Sequence, residues 1–417
     1  MKIKLPLIFA SALLLAGCSS ESNSKWDDPN PIQPTADLSL SGTEADANDG
    51  LNKFGIDFFN AAAIHYDAFF SASMQDNHEN YSVSPLSASL ALAMLANSGD
   101  DAITSATLKV LNAPDIADLN NACNKIMRYM AGRKNVELAN SIWYSSSRCK
   151  VTDSYVRNIN RTFYAEVNGV DFTDKSVAGK MNAWIHNKTH GYISEMIQRT
   201  DDRSIVFLIN ALYFKGKWND SFKKDKTAKA TFHGTESDSE IDMMHSYNTY
   251  QYVKQERLSA VIKTLEGDAA IAFILPEGNT DIKDLSATIS CDEWKGIVNN
   301  ARAHSVDLSL PKFQINSDAD LSPWLNSIGL SGYNSKLDKM GDVRIDDHLY
   351  LKTKQKAILK VEEEGVTAAA ATVIGVVDTA MPDKSDEVVF TLDRPFLYFL
   401  FNRKSGTILM AGRICNL

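Results

Sequence analysis

Residues 362–372 constrain this chain more than any other stretch of it. Glu362, Glu363 and Glu364 stop at Gly365, and Val366, Thr367, Ala368, Ala369, Ala370, Ala371 and Thr372 follow. Alanine and threonine expose little apolar surface to water, yet they are slim enough to enter between packed strands without overfilling the site. Such a segment suits two places, one in solvent and one inside a sheet. The competing reading is a short alanine-rich helix, whose N-terminus the glutamates would favour. Against it, Gly365 on one side and the β-branched Thr372, Val373, Ile374, Val376 and Val377 on the other leave about one or two turns, which is marginal in water.

The remaining pattern mixes helices and sheets, an α+β class. Ser84 and Pro85 start a helix as N-cap and first helical residue, Leu86, Leu90, Ala93 and Met94 give it one apolar face, and Gly99 ends it. Residues 205–214 are apolar on both faces, the mark of a strand buried from two sides. Asn210 in its middle needs hydrogen-bond partners, so a buried polar cluster is expected there. Residues 349–361 alternate with period two, with Lys352, Lys354, Lys356 and Lys360 on a wet side and Gln355 on the dry one. A hairpin closes the chain, 396–401 and 407–411 about a turn at 402–406.

At 417 residues and 44% hydrophobic content, with no internal repeat and no Pro/Gly linker after residue 50, the chain reads as one large domain over 51–417. A net charge of -9 argues against nucleic acid as partner, because a phosphate-binding surface needs clustered Lys and Arg. Lys223, Lys224 and Lys226 about Asp225 read as a solvated turn. No GxSxG, HExxH, Walker A or GxGxxG pattern occurs, so neither an enzyme nor a cofactor is expected. His186 and His190 lie four apart with no third ligand at helical spacing and read as a solvated helix face, with no metal.

The first eighteen residues have the form of a targeting signal. Lys2 and Lys4 precede an apolar run over 5–16, too short to span a bilayer, and Gly17 and Cys18 follow. The ending Leu15, Ala16, Gly17, Cys18 resembles a bacterial lipobox, which implies a mature chain starting at a lipidated Cys18, anchored to an outer membrane or cell surface and facing the periplasm or the outside. Residues 19–50, rich in Ser, Asn, Asp and Pro, read as a flexible tether. Cys123, Cys149, Cys291 and Cys415 have no CxxC spacing; disulfides and buried free thiols both remain open.

Four blocks in order resemble the serpin family: Ser84, Pro85, Leu86 and Ser87 with 91–95; residues 207–218, ending at Trp218; residues 362–372; and Asp393, Arg394, Pro395 and Phe396 with Gly406 and Gly412. The resemblance implies a serpin-like fold of several mixed sheets and helices with an exposed, mobile reactive loop. It implies a suicide substrate that traps a serine protease, and also cysteine proteases, in a covalent 1:1 complex, the cut loop entering the main sheet as a strand. Glu363 to Thr372 would be its hinge and Trp218 would stand at the top of the sheet. Ser84, Ser87, Asn210 and Gln355 would form a cluster beneath, Gln355 replacing the family's usual histidine. Val366 stands where Thr or Ser is usual. Counted from Glu363, the reactive bond is Thr379-Ala380. With no Lys or Arg between Val366 and Asp383, an elastase-like target is expected, cleavage after Asp378 being the runner-up. The alternative is a serpin-fold protein that binds without trapping.

Overall fold

The computed structural model describes residues 31–66, 79–133, 135–321, 324, 325, 328, 330, 337–343, 354–366 and 387–417. The first half of the chain contains α1 (Gly42–Ile64), β1 (Tyr81–Val83), α2 (Pro85–Ala96), α3 (Asp101–Val110), α4 (Ile116–Ala131), β2 (Val136–Ser145), β3 (Cys149–Val151), α5 (Asp153–Phe163), β4 (Ala165–Val170), α6 (Val177–Lys188), β5 (Val206–Phe214) and β6 (Gly216–Lys217). The second contains β7 (Ala228–His233), β8 (Asp238–Lys254), β9 (Leu258–Thr264), β10 (Ala269–Pro276), α7 (Ile282–Thr288), α8 (Cys291–Asn300), β11 (Arg302–Pro311), β12 (Phe313–Asp320), β13 (Gly341–Val343), β14 (Lys354–Glu362), β15 (Gly365–Val366), β16 (Val388–Thr391), β17 (Phe396–Asn402) and β18 (Ile408–Ile414).

A nine-stranded sheet, ordered β1-β18-β17-β10-β9-β8-β11-β16 with β7 on β8, holds much of the core; Ile271, Phe273, Phe399 and Leu400 are fully buried in it. The closing hairpin forms as its sequence implies, β17 against β18, and the Asn402 side chain accepts the Lys404 and Ser405 N–H groups, each at 3.0 Å, to set the turn. Helix α2 starts where Ser84 caps it, the Ser84 hydroxyl accepting the Ser87 N–H. It differs from the amphipathic helix expected, since every residue from Pro85 to Ala96 is buried. The helix runs through the middle of the molecule, against α1, β5 and β18.

Two smaller sheets lie edge to edge, β4-β2-β5 and β12-β14-β15-β6. Strand β6 continues β5 after the single residue Lys215, and β15 is hydrogen-bonded to both β6 and β14. Below β15, β5 and β14 face one another without a shared ladder among the described residues.

The ordered domain begins earlier than residue 51. Helix α1 starts at Gly42 and buries Ala47, Asn48 and Gly50. Its first turn is closed by a capping box, in which the Glu44 carboxylate accepts the Ser41 N–H at 2.6 Å and also the Lys125 ammonium at 2.7 Å. Ahead of the helix, the Thr35 N–H donates to the Arg128 carbonyl (3.0 Å), Arg128 Nε to the Gln33 carbonyl (2.9 Å), and Arg133 to the Ala36 carbonyl (2.7 Å). The tether expected over 19–50 is therefore docked on the end of α4 from residue 33 onward. Residues 1–30, with Cys18, lie outside the described residues. Of the four other cysteines, Cys123, Cys149 and Cys415 are buried and Cys291 is half-buried, and no disulfide joins them.

Candidate functional site

The acidic run makes a joint. Strand β14 ends at Glu362, the chain turns through Glu363 and Glu364, and β15 returns between β14 and β6, pairing Val366 with Val361 on one side and with Gly216 on the other. Gly365 is required by close approach, because an added Cβ would run into the Gly216 carbonyl. Three carbonyls of the turn are held by one segment: Trp218 Nε1 donates to Glu362 O (2.9 Å), Phe222 N to Glu363 O (2.9 Å) and Trp218 N to Glu364 O (3.1 Å). Trp218 is buried and follows β6 directly.

The Glu363 side chain is buried too, and accepts from Thr227 Oγ1 and Lys312 Nζ, each at 3.0 Å. Burial pushes its carboxyl up, but its own backbone N–H, Lys312 and Thr227 outweigh that and hold it below the usual carboxylate range. Glu364 is half-buried and meets Lys224, 3.1 Å away, in the lysine-rich turn. Val366 is buried within the ladder between β14 and β6. The rest of the expected hinge, Thr367 to Thr372, and the expected reactive residues Thr379 and Ala380 lie outside the described residues.

Beneath the joint the facing edges of β5 and β14 line a cavity of about 30 Å³, room for a water or two. Ser84, Ser87, Asn210 and Gln355 all line it, and Tyr192 and Met196, from the chain after α6, cover it. Gln355 bonds twice to the Ser84 backbone, accepting its N–H and donating to its carbonyl, both at 2.7 Å. Ser84 Oγ lies 2.7 Å from the Leu409 carbonyl oxygen and 2.9 Å from Ser87 Oγ. Asn210 does not join that network; its amide donates to Asn140 Oδ1 at 2.6 Å, and its own Oδ1 is buried with no hydrogen-bond partner among the described residues. Asn140, directly opposite on β2, is the partner that sequence reasoning missed. Lys312 and Thr227 were missed as well, and their spacing carries no signal of a shared carboxylate.

Strand β5 also departs from expectation. Phe207, Ile209, Ala211 and Phe214 are buried, but Leu208, Asn210 and Leu212 are only half-buried. Residues Asn210 to Phe214 line the cavity toward β14. On β14, Gln355, Ala357, Leu359 and Val361 are the buried set, as the period-two reading requires. What the arrangement allows is strand addition: two edges that share no ladder among the described residues, slim side chains next in the sequence, and a register already set at the mouth.

A family model described as Serpin (serine protease inhibitor) matches residues 53–417. An uncharacterized serpin-like protein of Thermococcus kodakarensis is 24% identical, the match covering 95% of this chain and 92% of that one. The native state of tengpin, a thermophilic serpin, matches with TM-score 0.76 at 23% identity, over 93% of this chain and 97% of that one. Human thyroxine-binding globulin, solved in complex with its ligand, matches with TM-score 0.75 at 21% identity, over 89% and 99%. At these identities the likeness to the two solved structures is one of fold.

Proposed function

The chain belongs to the serpin family, and on that footing we propose that it inhibits serine proteases by acting as a suicide substrate whose cut loop enters the slot between β5 and β14. Serpins are generally protease inhibitors rather than enzymes. The observation that favours trapping is the joint: β15 is paired on both sides at the mouth of the slot. Each residue added beyond Val366 steps one place back along both neighbours. On that register Ala368 would meet Leu359 and Phe214, Ala370 would meet Ala357 and Leu212, and Thr372 would fall between Gln355 and Asn210. Directly opposed residues share a face, so the even-numbered loop residues would enter the buried side, and none of them up to Val376 carries a charge. From Val366 to Thr379 an extended chain reaches about 45 Å, enough to carry an attached protease across the domain.

The reactive bond is assigned to Thr379-Ala380 and the target to the elastase-like class, since small pockets accept Thr. Incubation with a panel of serine proteases tests the reading: a covalent band that survives denaturation is expected with an elastase-type enzyme, and its absence across the panel refutes trapping. The fold shared with human thyroxine-binding globulin, which was solved holding thyroxine, sustains a second reading, a carrier that binds without trapping; it expects cleavage without a covalent band. The lipid on Cys18 that would hold the protein at a membrane is tested by Cys18→Ala, which should release it into the soluble fraction.

A further inference from the structure

Strand β9 is apolar where it crosses the core, Ala260, Val261 and Ile262 all being buried, and the next residue is Lys263, which is 1% exposed. Its ammonium sits among three aromatic faces, 4.3 Å from the ring centre of Phe222, 4.9 Å from Tyr250 and 5.3 Å from Trp218. It donates to the Asp220 carbonyl oxygen (2.6 Å) and to the Tyr250 hydroxyl (3.2 Å), and the Asp220 carboxylate is 4.0 Å away. A cation held against aromatic faces with little water about it attracts them strongly.

Two walls of this cage are Trp218 and Phe222, the residues whose N–H groups hold the carbonyls of Glu362, Glu363 and Glu364. We propose that Lys263 is a positioning residue for loop insertion, its caged ammonium fixing Trp218 and Phe222 so that they hold the turn at residues 362–364 at the mouth of the slot. The geometry stands by itself; its effect on inhibition rests on the trapping reading above.

Charge is what distinguishes this role from plain packing. Burial pushes the Lys263 ammonium down to about 8, the Asp220 carboxylate opposing that shift. The titratable groups that face it are Asp220 and Tyr250, and burial lifts the Tyr250 hydroxyl well above its ordinary value, so the tyrosine stays neutral. The carboxylates of Glu362, Glu363 and Glu364 are engaged by Lys360, Lys312 and Lys224 instead. Loss of the Lys263 proton therefore removes the cation from the cage and leaves the surrounding ion pairs in place.

Intrinsic fluorescence of the intact full-length protein, titrated across about pH 7–9 without protease, reads the cage directly. The part of the emission that Trp218→Phe removes should change with a midpoint near 8, and the change should vanish in Lys263→Met. Asp220→Asn, at a half-exposed side chain, should move the midpoint to lower pH, and it decides the matter if Lys263→Met does not fold. With a protease that forms the covalent complex, the fraction of inhibitor lost as cleaved by-product should rise about threefold or more as the wild type passes that midpoint, the effect of losing one cation–aromatic contact. In Lys263→Met that fraction should be high and flat with pH. A wild type without the fluorescence change, or one whose midpoint is the same in every variant, overturns the proposal. A wild type that shows the change but traps no protease leaves Lys263 as the cage's cation and refutes the trapping reading instead.

Discussion

Glu44 ties the first turn of α1 to α4, and it does so as an anion. The hydrogen bond from Lys125 and the Ser41 N–H, outweighing its burial, hold its carboxyl down to about 2 from an ordinary 4.5. A carboxyl depressed in the folded state stabilises it fully above the unfolded value and less and less as pH falls through the folded one. Glu44→Gln should therefore cost about 1–3 kcal/mol of unfolding free energy at neutral pH, and the gap to wild type should close between pH 4.5 and 2; a gap independent of pH in denaturant titrations refutes the assignment. The capping box of Ser41 and Glu44 sits in a stretch whose polar composition reads as a tether, and only the contacts with α4 decide against that reading. Lys263 was not legible in the sequence, because its cage is assembled from β8, β9 and the segment after β6.

Among elements, the alternation of β14 was legible because one of its faces is wet, and the buried set falls where period two puts it. The apolar run of β5 was harder to read, since a strand buried on both faces and an edge strand waiting beside a slot have the same composition. The slot is a property of two strands far apart in sequence, so neither run announces it. Face parity gives a direct test of what enters it. Ala368→Glu with Ala370→Glu should turn inhibitor into substrate, because burying two unpaired charges costs several kcal/mol each. Thr367→Glu with Ala369→Glu, on the opposite face beside Lys360 and Ile358 by the same register, should keep most of the covalent complex on denaturing gels. Equal loss in both pairs would mean that the loop does not continue the register of β15.

For the molecule as a whole, a slot whose two edges share no ladder among the described residues is an unfinished sheet. Filling it after a cut near Thr379 would add about ten ladder hydrogen bonds at about 1 kcal/mol each, and in a domain of this length 1 kcal/mol moves the melting temperature by about 1–2 °C. Calorimetry before and after limited elastase digestion should thus show a rise of about 10–20 °C, whereas a nick in an ordinary loop lowers stability or leaves it unchanged; no rise would rule out insertion. The docking of residues 33–36 on the end of α4 bears on where such an inhibitor can work. Were Cys18 lipidated and the stretch from it to residue 33 a flexible chain, as the sequence leads one to expect, its typical span would be about 20 Å, in place of about 30 Å for a leash running to residue 50. Effective concentration falls as about the three-halves power of leash length, so the shorter leash raises by about threefold the concentration that a protease sitting on the same membrane encounters. Lengthening it with glycine and serine should then weaken protection against a membrane-bound protease by that factor and leave a soluble one unaffected, the result expected of a guard of the surface it stands on and not of the fluid beyond.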